Sequence, residues 1–152
     1  MKLDTRHFGE IDIDESKIIV FEEGLPGFRG LKNFALFHDV AEADAGDASV
    51  FMWLQSLEDG GTAFVLLNTF LFMPSYAPKF DDNALESLGA CELHELLVRN
   101  IAVIPERLED MTVNLCAPIL INTKTQKGKQ ALATNKDYHV RHYIMKEARE
   151  AM

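Results

Sequence analysis

Between Lys32 and Lys79 there is not one lysine or arginine. The same span holds Asp39, Glu42, Asp44, Asp47, Glu58 and Asp59. The whole chain, 152 residues, carries a net charge of −9. Phosphate contacts need clustered cations, so this balance argues against direct nucleic-acid binding. The acidic span is either a solvated surface or a landing patch for a basic protein partner.

Long apolar runs are missing too. The longest are about five residues, such as Val50–Leu54 and Ala63–Leu67, far short of the roughly 20 that span a membrane. The N-terminus has no apolar signal region. Cys91 and Cys116 stand far apart and form no CxxC pair. Two lone cysteines suit buried thiols in a reducing compartment, so the expected location is the cytoplasm.

Motifs that carry chemistry are also absent. Gly24-Leu25-Pro26-Gly27 is too short for a phosphate cradle, and Pro26 lacks the N–H such a cradle needs. No Gly-x-Ser-x-Gly elbow occurs. His139 and His142 are three apart, which on a strand points them to opposite faces. Nothing completes a tetrahedral metal set around them. Asp81-Asp82 and Glu58-Asp59 are adjacent carboxylates that diverge, which suits caps and turns. Trp53 has no neighbouring cations for base stacking. The residues therefore predict no catalytic site, no metal and no cofactor.

What remains is core material. A hydrophobic content of 47% in a chain this long can bury roughly 70% of the unfolded surface without a metal or disulfide. Short β-rich runs recur between turn signals. Phe8–Ile13 and Lys17–Phe21 read as a hairpin around Asp14-Glu15-Ser16. Ile18–Phe21 is continuously apolar, as if covered on both faces. Gly30–Asn33 reads as a helical turn and Phe34–His38 as a strand. Val50–Ser56 and Thr62–Leu67 read as a hairpin around Asp59-Gly60-Gly61. Asp81–Leu88 reads as a helix ended by Gly89. Leu96–Ile104 is a strand stopped by Pro105.

The central stretch is Met111–Leu132. It reads as two apolar strands, a basic turn of Lys124, Lys127 and Lys129 around Gly128, and the start of a third strand. Gln130–Thr134 and Tyr138–Ile144 read as a last hairpin, and 145–152 as a frayed helical tail. About ten short strands predict a mostly β fold: an antiparallel, barrel-like single domain over 1–152 with one or two short helices.

Several pieces, in order, resemble one family, the flagellar assembly factor FliW. They are Phe8-Gly9-Glu10, Gly24–Phe28, Leu54-Gln55-Ser56 with Ala63-Phe64, and Pro74-Ser75-Tyr76. Met111–Leu115, Ala117–Asn122, Gly128–Gln130, and Tyr138 with Arg141 complete the set. Each motif is weak alone; the ordered set is specific. Glu22 and Thr69 depart from positions where the family often has proline.

The resemblance implies a cytoplasmic, non-enzymatic regulator with a β-barrel-like fold. Its partners would be flagellin before export and CsrA, a translational repressor. The free factor would antagonise CsrA away from its RNA-binding surface and so relieve repression of flagellin synthesis. The unbound chain is expected to be a monomer. Phe28 is either a core plug or an aromatic anchor. Gln55, Asn114, Asn122 and Gln130 either satisfy buried backbone or face a groove. Phe70, Phe72 and Tyr76 are candidates to line a groove for a flagellin terminus. Asp39, Glu42, Asp44, Asp47, Glu58 and Asp59 are candidates to attract CsrA. A small-ligand-binding barrel is the alternative reading, and a hydrolase with an unrecognised site a more distant one.

Overall fold

A chain rich in short apolar runs but poor in helical spacing satisfies its backbone between strands. The computed structural model describes residues 1–38, 49–90 and 92–150. Its first strands are β1 (Lys2–Thr5), β2 (Gly9–Asp12), β3 (Ile19–Val20) and β4 (Asn33–His38). Then come β5 (Phe51–Ser56), β6 (Ala63–Leu67), β7 (Leu97–Val103) and β8 (Thr112–Val113). β9 (Ile119–Asn122), β10 (Lys127–Gln130) and β11 (His142–Tyr143) follow, and α1 (Ile144–Glu150) closes the series.

Seven of these strands close into a barrel in the order β7-β6-β5-β4-β3-β10-β9, with β9 pairing back onto β7. The closing register is Leu97↔Ile121, Val98↔Leu120 and Arg99↔Ile119. Closure removes the open edges that a flat sheet would expose. Every pairing around the ring is antiparallel except β3 with β10, which is parallel at Lys127↔Val20. β8 and β11 extend from the far half of β7 as a short flap.

Ile19, Phe21, Phe34, Met52, Leu54, Leu66, Ile119 and Ile121 fill the interior. Each such side chain contributes roughly 1.5–3 kcal/mol on burial. Phe21 meets Phe34 edge-on at 5.0 Å and also lies over Gly128. A Cβ at Gly128 would sit 2.6 Å from the Phe21 ring, so this strand position admits only glycine without a shift. Outside the barrel, Leu120 packs with Leu88, Ala90, Leu96, Val98 and Ala131. β9 is thus buried on both faces, which explains its unbroken apolar run. A third cluster gathers Leu67, Tyr76, Met111, Val113, Leu115 and Ile144.

Several local expectations are corrected. Gly9–Asp12 pairs with Lys2–Thr5 rather than with Lys17–Phe21. Asp14 accepts the Ser16 N–H and caps a 3-10 turn at Glu15–Lys17, which redirects the chain into the barrel. Within Ile18–Phe21 burial alternates, since Val20 is exposed between Ile19 and Phe21. Gly30–Asn33 is not a helical turn; Asn33 already opens β4. Asp81–Leu88 keeps only a 3-10 turn at Glu86–Leu88, because Asn83 adopts φ 70°. Gly89 does end that turn, at φ 73°. Gly128 lies inside β10; the turn precedes it, with Gln126 at φ 60°.

The last hairpin does not form. Ala131, Ala133 and Thr134 donate their N–H groups to Pro118, Cys116 and Lys79 carbonyls instead. His139 and His142 do not diverge: their rings stack at 5.4 Å, and His142 accepts the His139 backbone N–H at Nε2. Cys116 is half-buried rather than buried. Among the described residues, no helix is long and apolar enough to cross a membrane.

Candidate protein-docking site

Where β6 ends, the ladder gives way to side-chain bonding. Thr69–Leu71 turns as a 3-10 segment. The Thr69 hydroxyl donates to Asn100 Oδ1 at 2.6 Å. Asn100 Nδ2 donates to the Tyr76 hydroxyl at 3.0 Å and to the Asn114 carbonyl at 2.8 Å. The Tyr76 hydroxyl donates to the Leu115 carbonyl at 2.6 Å. A buried network with every member satisfied is rigid. Burial, opposed by the bond from Asn100, pushes the Tyr76 phenol far above its ordinary value. It therefore stays a protonated donor.

This network holds one wall of a cleft on the outside of the barrel. Phe70 lies 5.7 Å from the Tyr76 ring. With Pro78, Leu93, Leu97 and Val98 they line a space of about 420 Å³. The surface is mostly apolar, with His94 and Arg99 as its polar groups. Arg99 is buried and donates to the Val98 carbonyl at 2.7 Å. An open apolar cleft of this kind suits another protein's side chains.

Phe70 and Tyr76 therefore come together as the sequence suggested. Phe72 does not line this cleft; it packs on the cluster of Tyr76, Leu115 and Ile144. Phe28 is 43% exposed and rests edge-on against Phe64 at 5.3 Å. It is not the core plug. Leu25 of the same loop enters the core instead. Gly24 permits this at φ +68°, where a Cβ would lie 2.5 Å from the Arg29 carbonyl oxygen.

The four amides bond their own chain. Gln55 is fully buried and its Nε2 lies within reach of the Ser56, Gly60 and Thr62 carbonyls. Its Oε1 has no partner among the described residues. Asn114 Oδ1 accepts the Ala117 N–H at 3.0 Å and the Cys116 thiol at 3.3 Å. Asn122 donates to the Leu88 carbonyl at 2.7 Å and accepts the Lys124 and Thr125 N–H groups. Gln130 donates to the Ala117 carbonyl at 3.0 Å.

Of the acidic set, Asp39, Glu42, Asp44 and Asp47 lie outside the described residues, as does Cys91. Glu58 and Asp59 are exposed. Glu58 accepts the backbone N–H of Lys32 and Asn33 and the Asn33 side chain. Partial burial pushes its carboxyl up, but these three donors together hold it below the usual value. The Thr62 hydroxyl and Gly61 N–H hold the Asp59 carboxyl down in the same way. Among the described residues, no three His, Cys, Asp or Glu side chains gather as a metal site.

The sequence reading missed Thr69, Asn100 and Leu93. Asn100, beside Arg99 in the otherwise apolar strand Leu97–Val103, was the available signal, because a buried amide needs partners. Thr69, one of the two family departures, supplies one of them.

The sequence model of the family described as FliW protein matches residues 2–144. A flagellar assembly factor FliW from Alkaliphilus metalliredigens is 42% identical over 97% of this chain and 88% of its own length. One from Thermoanaerobacter pseudethanolicus is 38% identical over 99% of this chain and 97% of its own. The crystal structure of a flagellar assembly factor FliW superimposes with a TM-score of 0.84 at 34% identity, covering 95% of this chain and 96% of that one. Matching in sequence from end to end and in barrel architecture, the chain belongs to the FliW family.

Proposed function

We propose that this chain is a cytoplasmic, non-enzymatic regulator of flagellar assembly that binds flagellin before export. When free of flagellin, it binds CsrA and antagonises it, so that flagellin messenger translation resumes. Family membership across residues 2–144 carries this reading. The apolar cleft at Phe70 and Tyr76 supports a flagellin-binding role, since a flagellin terminus offers an apolar helix. Phe28 offers a second exposed aromatic contact. The net charge of −9 supports attraction to CsrA, because an RNA-binding protein carries basic surface. Asp39, Glu42, Asp44, Asp47, Glu58 and Asp59 act mainly on the association rate. The unbound chain is a monomer, consistent with a barrel that closes its own edges. A ligand-carrying barrel would need an open interior, whereas Phe21, Phe34, Met52 and their neighbours fill this one.

The test uses purified components. The chain is titrated by calorimetry with flagellin, with CsrA, and with CsrA after saturation by flagellin. A reporter translation assay runs beside it. The expected result is binding of both partners, with relief of CsrA repression only by the flagellin-free chain. Absence of binding to either partner contradicts the proposal. Reversing four of the acidic charges weakens CsrA binding at low salt and has little effect at high salt. An affinity unchanged across the salt series removes the acidic patch from the account.

A further inference from the structure

The Phe70–Tyr76 cleft does not end at Pro78. Pro78 and Leu93 also wall a second hollow of about 660 Å³, floored by Phe80, Ala84, Leu85 and Ala90. The two hollows share those walls and form one channel along the outside of the barrel. It lies over the cluster of Leu88, Leu96, Val98 and Leu120, with Phe70, Phe80, Leu85 and Leu93 packed on top.

The backbone lining the first hollow, and Lys79 beside it, is already occupied. The N–H of Ala77 goes to the Tyr138 hydroxyl, and that of Lys79 to Asn135 Oδ1. The carbonyls of Ala77 and Lys79 accept from Asn135 and Thr134. Leu97 to Arg99 are paired with β9, and the 92–95 turn closes with its own capping box. Among the described residues, the first hollow therefore has no run of free backbone edge for an added strand. An occupant must satisfy its own backbone, and a helix does so.

The charge around the channel fixes the second property. Asp81, Asp82 and Glu86 are exposed at the second hollow and make no ion pair among the described residues. Glu92 is taken by His94 at 3.0 Å. Of the cations nearby, Lys129 is turned onto the Ala84 carbonyl at 2.8 Å and Arg99 is buried. Among the described lysines and arginines lining the two hollows, Lys79 alone is exposed on the rim. The rim is therefore net negative over an apolar floor.

We infer that this joined channel seats an amphipathic helix of a protein partner, whose apolar stripe is flanked by lysine or arginine facing Asp81, Asp82 and Glu86. The inference rests on the proposal that the chain works by binding flagellin. It adds the site's full extent and the charge its occupant must carry.

The test uses two synthetic peptides of roughly 18 residues, about five helical turns. Both carry leucines at i, i+3, i+4 and i+7; one is flanked by lysines and its twin by glutamates. Binding to the full chain is followed by fluorescence anisotropy, with full-length flagellin titrated in parallel. The lysine peptide binds at least ~10-fold tighter than its twin at low salt, and the gap narrows as salt rises. Asp81→Lys with Asp82→Lys reverses the preference and leaves the melting temperature unchanged, since both positions are exposed. Leu93→Glu abolishes binding of either peptide, with circular dichroism checking that the fold persists. Equal affinity for the twins overturns the inference, as does binding insensitive to Leu93→Glu. Flagellin that binds wild type and Leu93→Glu alike removes flagellin from the channel and leaves the proposed function standing. Channel-dependent peptide binding with no flagellin binding at all has the opposite meaning: it removes the flagellin reading.

Discussion

Two walls of the same barrel are built by different means. On one, β4, β5 and β6 run as an unbroken antiparallel ladder, from Phe34↔Ser56 to His38↔Met52 and from Phe51↔Leu67 to Gln55↔Ala63. On the other, the described residues between 68 and 96 contain no strand, only 3-10 turns and irregular chain. In the first wall backbone pairs with backbone, and side chains need only fill space. In the second, side chains do the pairing: Thr69, Asn100 and Tyr76 hold the chain that a ladder would otherwise hold. The cost is a reliance on a few polar atoms. The consequence is relief, a channel with apolar floor and charged rim that a smooth ladder does not offer.

The sharpest way to break this contrast is Asn100→Leu. It keeps the side chain's heavy-atom count and branching but strands the Thr69 hydroxyl and the Asn114 carbonyl and removes a donor from Tyr76. With about 1–3 kcal/mol for each buried group left unpaired, the expected loss is roughly 3 kcal/mol or more by urea denaturation. A loss under ~1 kcal/mol means the irregular wall does not depend on the network. Gly128→Ala probes the barrel seam against Phe21. Overpacking there costs about 1–3 kcal/mol, read as a lower midpoint with an unchanged denaturant slope.

Phe28→Ala comes next. With an exposed ring and a single edge-on partner, the expected stability loss is about 0.5–1.5 kcal/mol, while any partner that uses Phe28 loses more. The smallest effect is pH-dependent. In the folded chain the Glu58 carboxyl is held below its ordinary 4.5, so it binds fewer protons folded than unfolded. Its contribution is complete above pH 4.5 and fades as pH falls through the lower folded value. Glu58→Gln lacks that part of the acid sensitivity. Identical acid profiles for the two proteins would show that the bonds to Lys32 and Asn33 do not matter to stability.

The same contrast governs what the sequence disclosed. The ladder wall was readable, because Phe34–His38, Val50–Ser56 and Thr62–Leu67 are apolar runs with Asp-Gly chemistry between the last two. Leu96–Ile104 was readable for the same reason, with Pro105 as its stop. The second wall was not. Leu85 and Leu88 have helical spacing, but Asn83 breaks the helix in a left-handed conformation that asparagine adopts more readily than most residues. Lys2–Thr5 alternates charged Lys2 and Asp4 with Leu3 and Thr5 and carries one large apolar side chain, so its pairing with β2 was hidden. Ala131 and Ala133 alternate like a strand, and their N–H groups continue the β9–β10 register onto Pro118 and Cys116 instead of pairing with Tyr138–Ile144. Of the expected groove residues Phe70, Phe72 and Tyr76, the first and last line one cleft and Phe72 does not, a separation that nearness in sequence does not reveal. Leu93 escaped because its nearness to Pro78 is a tertiary fact.

Amide hydrogen exchange on the full chain, alone and saturated with flagellin, tests the division of labour between the two walls most directly. New protection across Phe70 to Val98, with β4, β5 and β6 unchanged, is the predicted result. Protection gained on the β4–β6 ladder and none along the channel would contradict it.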